Sequence, residues 1–187
     1  HTLLLNADII ELGREPCMLT VGIDITERRR REQVQTGIYE ISQAILSGDD
    51  LPALLGRVHR IIAGLMPAKN FYVALLNADR SLLSFPYFVD ETMAHPAPRQ
   101  PRNGVTEFVI DTGEALLATD DEVVARLRSR GHYTPGGSPC AQWMGAPLMF
   151  EGRGIGAIVV QDYHNPAAYT DEDKRLLLFV ADQTAAA

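Results

Sequence analysis

Five histidines, two cysteines and a glycine-rich stretch are the residues whose chemistry is worth testing first. His1, His59, His95, His132 and His164 stand far apart. None falls in the H-E-x-x-H or H-x-H spacing that brings two imidazoles to one metal, so no metal site is expected. Cys17 and Cys140 lie in distant segments. That is neither a disulfide framework nor a thiolate cluster, and it suits a reducing compartment. Ser138-Pro139-Cys140 lacks the G-x-S-x-G setting of a strained nucleophile. Cys140 near His132 is a candidate redox thiol, and an idle buried cysteine is the simpler reading. Gly152-Arg153-Gly154-Ile155-Gly156 resembles a phosphate loop. It joins two strand-like runs, however, so the helix N-terminus that would hold a phosphate is missing and a hairpin turn is expected. No catalytic constellation emerges, and the chain is expected not to be an enzyme.

A small-molecule pocket has better support. Tyr72, Phe85, Tyr87, Phe108, Trp143 and Tyr163 supply aromatic surface from separate segments. Apolar walls with a few polar handles are the usual small-ligand site, although the same residues could simply be core. His132 to Pro139, HYTPGGSP, is a polar loop beside the strand of Trp143. It is expected to cover the pocket, with His132 as a lining residue. His132 is also the best candidate axial ligand should a haem bind, against the simpler reading of a solvent-facing loop histidine.

Composition narrows the partners. The chain has 187 residues, a formal net charge of −7 and a pI near 5.2. An acidic surface repels phosphate backbones, so nucleic acid is not an expected partner. No apolar run approaches the roughly 20 residues that span a bilayer, which makes membrane insertion unexpected and a cytoplasmic location the natural assignment. Arg28–Arg31 lies between Glu27 and Glu32 and reads as a solvated helix face. Both ends fall in mid-pattern, as in a piece of a longer protein.

The elements that would position these residues follow from periodicity. Residues 1–25 read as a β-hairpin turning at Gly13-Arg14-Glu15-Pro16. A two-stranded hairpin is marginal alone, so it should pack on something further. Thr26 is the expected cap of a long helix to about residue 47. Within it Val34, Ile38, Ile41 and Ile45 are spaced four, three and four. That seam predicts pairing with a second helix, or else an apolar stripe against a sheet. A second helix runs Leu51–Met66, capped by Asp50 with Pro52 in its first turn. Strands follow at 71–76 and 81–89, the latter with Pro86 marking an edge or a bulge. Short helices at 104–112 and 120–130, the second capped by Asp120, flank a short strand at 114–118. Residues 141–163 form the most strand-like hairpin, and Ile158–Val160 should be covered on both faces. Thr170 and Asp173 form a capping box for the last helix. Hairpins bounded by helices imply an α+β fold built on an antiparallel sheet.

Several of these segments resemble known families. Asp24-Ile25-Thr26-Glu27-Arg28, following a strand, resembles the junction at which PAS domains end and a signalling helix begins. From about residue 34 the chain resembles a GAF domain. The resemblance lies in Phe85-Pro86-Tyr87-Phe88-Val89-Asp90-Glu91, Gly104-Val105-Thr106-Glu107-Phe108-Val109, Trp143-Met144-Gly145-Ala146-Pro147-Leu148, Gly154-Ile155-Gly156-Ala157 and Tyr169-Thr170-Asp171-Glu172-Asp173. It implies about six antiparallel strands with a ligand cavity on one face and the first and last helices on the other. It further implies three parts: residues 1–25 as the end of a PAS domain, 26–47 as a connecting signalling helix, and 48–187 as the GAF domain. Such arrays serve as sensory input regions of histidine kinases or cyclic-di-nucleotide enzymes, and their terminal helices pair in homodimers. A ligand-free dimerisation module is the alternative role. Bilin-binding relatives attach their chromophore through a cysteine beside a histidine. Here Tyr133 follows His132 and Ala141 follows Cys140, so covalent bilin is not expected. Cyclic-nucleotide-binding relatives carry Asn-Lys where this chain has Gln161-Asp162, which counts against such a ligand.

Overall fold

The computed structural model describes residues 1–13, 15–46, 50–129, 131 and 139–186. The chain divides into two units, residues 1–37 and 38–187.

In the first unit, β1 (Leu3–Leu12) and β2 (Glu15–Asp24) pair antiparallel over their full length, from Leu3 opposite Asp24 to Leu12 opposite Glu15. Apolar side chains stand exposed on both faces of this ribbon, among them Leu4, Ile9, Met18 and Val21. Helix α1 (Thr26–Leu46) starts directly after β2. Thr26 does not cap it as the sequence suggests. Its hydroxyl accepts the Thr2 amide at 2.7 Å, and the Asp24 carboxylate takes the Thr26 amide at 2.8 Å. Asp24 can do so because a short carboxylate reaches the amide two residues on. Arg28 of the arginine run pairs with Glu32 one turn ahead, on the exposed surface.

The second unit is built on β3 (Asn70–Leu76), β4 (Leu83–Val89), β5 (Leu116–Ala118), β6 (Gln142–Phe150) and β7 (Arg153–Asp162). They form one antiparallel sheet in the order β4-β3-β7-β6-β5. Five strands, rather than about six, are present among the described residues. Helices α2 (Leu51–Leu65), α3 (Val105–Thr112), α4 (Asp120–Ser129) and α5 (Asp171–Ala185) complete it.

Side-chain alternation divides the core in two. Phe71 and Val73, Met144 and Ala146, and Ile158 and Val160 face a layer that holds α2, α5 and the end of α1 through Ile41 and Ala44. Tyr72, Trp143, Ala157 and Val159 face the other layer, with Phe108 of α3 and Val123 of α4. Ile158, Val159 and Val160 are all fully buried, as their unbroken apolar run predicts. Ile41 is also fully buried, so this member of the predicted helix-pairing seam is engaged in the chain's own core.

Local chemistry fixes the ends of the elements. Asp50 caps α2 by accepting the Ala53 amide at 2.9 Å. Thr170 and Asp173 form a reciprocal capping box at α5. At α4 the start differs from expectation: Asp120 is already helical, and Glu122 reaches back to the amide and hydroxyl of Thr119. The β6–β7 turn runs through Glu151 and Gly152, both at positive φ, the two-residue turn that matches hairpin twist. Gly156 has no room for a side chain, because a Cβ would collide with the Ala74 carbonyl of the neighbouring strand. The glycine-rich stretch is thus a turn and a close strand contact.

The Tyr169 hydroxyl is buried without a hydrogen-bond partner among the described residues. Leaving such a group unmet costs about 1–3 kcal/mol. Tyr169→Phe is therefore expected to raise the urea midpoint, by about 1 kcal/mol in stability. Gly156→Ala should lower it by about 1–3 kcal/mol through overpacking.

Candidate ligand site

On the face away from α2 and α5, the sheet carries a cavity of about 430 Å³. Its aromatic wall comes from Tyr72 on β3, Phe85 and Phe88 on β4, and Trp143 on β6. Tyr72 stacks on Phe88 with centroids 5.6 Å apart, and Phe85 meets both edge-on. A bulge sets this wall. Two residues of β4, Phe85 and Pro86, oppose Ala74 alone between the Val73–Tyr87 and Leu75–Ser84 pairs. The extra residue reverses the alternation, so Phe85 and Phe88, three apart, share the cavity face. Tyr87 is turned to the opposite layer, where its hydroxyl donates to His59 Nδ1 at 2.9 Å and its ring meets Phe71.

Polar groups surround the wall. The Tyr72 hydroxyl bonds Thr106 Oγ1 at 2.9 Å, and burial pushes its pKa up to about 12. Glu107, 4% exposed, accepts from the Arg99 guanidinium at 2.6 Å and from the Arg102 amide at 2.8 Å. It thereby ties the proline-rich loop to the first turn of α3. Arg99 also lies over the Phe85 ring, 5.7 Å from its centroid. The Gln161 amide nitrogen donates to Asp90 Oδ2 and to the Tyr163 hydroxyl, both at 2.7 Å. Tyr163 in turn donates to Asp90, and burial with that carboxylate beside it drives the phenol pKa far up. Asp90 also accepts the amides of Thr92 and Met93, so this network anchors the segment after β4 to β7. Cys140 lines the cavity with its thiol pKa raised to about 11, chiefly by burial and then by Asp120. It is a neutral thiol at physiological pH, unsuited to nucleophilic attachment or thiol exchange.

Of the residues expected in a pocket, Tyr72, Phe85 and Trp143 meet at this cavity. Phe108 lies in the same core layer without lining it, and Tyr163 acts through the Asp90 network. Tyr87 sits across the sheet, and His132 lies outside the described residues. Sequence reading missed Phe88, Arg99, Arg102, Glu107 and Asp120 as lining groups. Pro86 was the available signal for Phe88. Gln161 stood out in sequence only for replacing an asparagine, and the structure places it in the cavity floor. Among the described residues, no group of three or more His, Cys, Asp or Glu is arranged to hold a metal. No described helix is long and apolar enough to cross a membrane.

Keeping Cys140 and Tyr72 neutral adds stability that is complete below their unfolded pKa values, near 9 and 10, and is lost as pH rises through about 11 and 12. The urea midpoint should therefore fall from about pH 9 upward. Cys140→Ala should delay that fall, retaining about 1 kcal/mol at pH 10 relative to its own neutral-pH value.

The GAF domain family model matches residues 48–187. No curated protein matches the chain. Among solved structures, the GAF domain of a phosphoenolpyruvate-protein phosphotransferase from Coxiella burnetii is similar, with a TM-score of 0.65 at 14% identity over 83% of this chain and 92% of that one. The GAF domain of an Acinetobacter phosphoenolpyruvate-protein phosphotransferase gives a TM-score of 0.63 at 16% identity, over 84% and 91% of the two chains. Free methionine-R-sulfoxide reductase from Neisseria meningitidis, solved with its substrate, gives 0.64 at 16% identity over 88% and 90%. At these identities the likeness is one of fold.

Proposed function

The chain belongs to the GAF family, and we propose that it is a sensory module that binds a small molecule in the cavity and passes occupancy to its helices. The observation that carries this is the division of the sheet. Strand β6 presents Trp143 to the cavity, while the adjacent Gln142 is buried and accepts the Tyr169 amide at 2.7 Å, just before α5. One strand thus touches the ligand space on one face and a terminal helix on the other. A ligand that favours one of two packings of that helix would bias its position. The neutral Cys140 favours reversible, non-covalent occupancy.

The finer parts of this reading concern the setting. Asp24-Ile25-Thr26-Glu27-Arg28 supports residues 1–25 as the end of a PAS domain feeding α1. Val34 and Ile38 on α1, together with α5, are the surfaces through which two copies would pair in a cytoplasmic signalling protein; the side chain of Ile45 lies outside those described. The output would be a histidine kinase or a cyclic-di-nucleotide enzyme, and this module itself would be non-catalytic. A cavity already bordered by satisfied polar clamps favours ligand sensing over a purely structural module.

Native mass spectrometry after incubation with a bacterial metabolite extract tests the pocket. A small-molecule adduct is expected on the wild-type chain and should be lost in Val124→Trp, which fills the cavity while leaving circular dichroism unchanged. Absence of any adduct, or an adduct retained by Val124→Trp, would count against ligand sensing at this site.

A further inference from the structure

The cavity holds charges of both signs that are uncompensated among the described residues. Arg99 is neutralised by Glu107. Arg102 lines the cavity and places only its backbone amide on Glu107; among the described residues its guanidinium has no carboxylate partner. Asp120 lines the cavity from the first turn of α4. Its carboxylate has neither a hydrogen bond nor an ion pair among the described residues, so the two charges do not meet each other.

A third group faces the same space. Gln161 is 7% exposed, and its amide nitrogen is committed to Asp90 and Tyr163. Its carbonyl oxygen accepts nothing among the described residues, yet it is not sealed off, so it opens to the cavity as a bare acceptor. A buried acceptor of this kind calls for a donor on whatever enters. The surroundings of Cys140 sharpen the pattern, since Asp120, Asp162 and Asp90 all act electrostatically on its thiol. The cavity beside Cys140 is therefore negative, while Arg102 is carried beside the first turn of α3.

Building on the ligand-pocket reading above, we infer that the cavity takes a zwitterion: an ammonium and a carboxylate carried on an apolar or aromatic frame. The carboxylate pairs with Arg102. The ammonium is shared by Asp120 and the Gln161 carbonyl. The frame lies against Tyr72, Phe88 and Trp143. The charge inventory excludes simpler ligands. Among the described residues, a phosphate dianion would meet one free cation, Arg102, and the Asp120 carboxylate. A lone amine would leave Arg102 unanswered, and a lone carboxylate would leave Asp120 and Gln161 unanswered. Within a partly desolvated site, such omissions are costly.

Trp143 is the sole tryptophan of the chain and lines the cavity, so its emission reports on the site. Fluorescence titrations would compare two zwitterions of different charge spacing, L-phenylalanine and 4-(aminomethyl)benzoate, with phenethylamine and 3-phenylpropionate. At least one zwitterion is expected to saturate at millimolar concentration or below, with both single-charge analogues at least tenfold weaker. Arg102→Ala should abolish its advantage over phenethylamine, and Asp120→Asn its advantage over 3-phenylpropionate. A single-charge analogue that binds as tightly as the zwitterions, or an unchanged preference in both variants, would overturn the inference. So would the failure of both zwitterions while the wild-type chain still captures a metabolite adduct that Val124→Trp loses; in that case the pocket stands and only its ligand class is refuted. Loss of the adduct as well would remove the pocket reading itself.

Discussion

The sheet of the second unit has no free face at its centre, and most of the structure follows from that constraint. Through the middle of β3, β6 and β7 side chains alternate between two apolar layers, so a polar residue there must find a partner or face the cavity. The helical layer fills one side with α2, α5 and the end of α1. On the other side α3 and α4 cover the sheet incompletely, and the unfilled volume is the cavity. The cavity exists because one layer is closed by helices and the other largely by loops.

Loops close a cavity reliably only when something holds them. Here each clamp is a carboxylate or amide that gathers two or more polar groups at once. Glu107 joins the proline-rich loop to α3 through Arg99 and the Arg102 amide. Asp90 joins the segment after β4 to Gln161 and Tyr163 on the far side of β3. Gln142 fixes the approach to α5 through the Tyr169 amide. Because these clamps are saturated, the groups left over stand out. Arg102, Asp120 and the Gln161 carbonyl line the cavity without a side-chain partner among the described residues. Cys140, by contrast, is held neutral by burial and by the aspartates around it, which turns a nominally reactive residue into part of the wall.

Much of this architecture was legible in the sequence because it is written locally. Asp50 and the Thr170–Asp173 box mark helix starts through contacts three residues apart, and Glu151-Gly152 specifies its turn through backbone preference alone. The unbroken run Ile158–Val160 announced a strand buried on both faces. Pro86 announced a bulge or an edge, and β4 is both. Local signals also misled where a distant group competed. Thr26 looked like a helix cap, but its hydroxyl is taken by Thr2 from the start of β1, and Glu122 rather than Asp120 secures the start of α4.

The sequence by itself therefore determined the α+β class, the element order and the helix caps at Asp50 and Thr170, since each depends on residue types at short spacing. Only the tertiary structure decided which side chains share the cavity. Tyr87 looked equivalent to Phe85 two positions before it, yet one extra residue in β4 inverts the alternation and sends it to the opposite core. The spacing of Ile41 fitted either a helix-pairing seam or an apolar stripe, and it is buried in the core layer that holds α2 and α5. Arg102, Asp120 and Gln161 are 18 or more residues from one another in sequence, and no periodicity relates them; they become a single site only because α3, α4 and β7 converge on one face of the sheet.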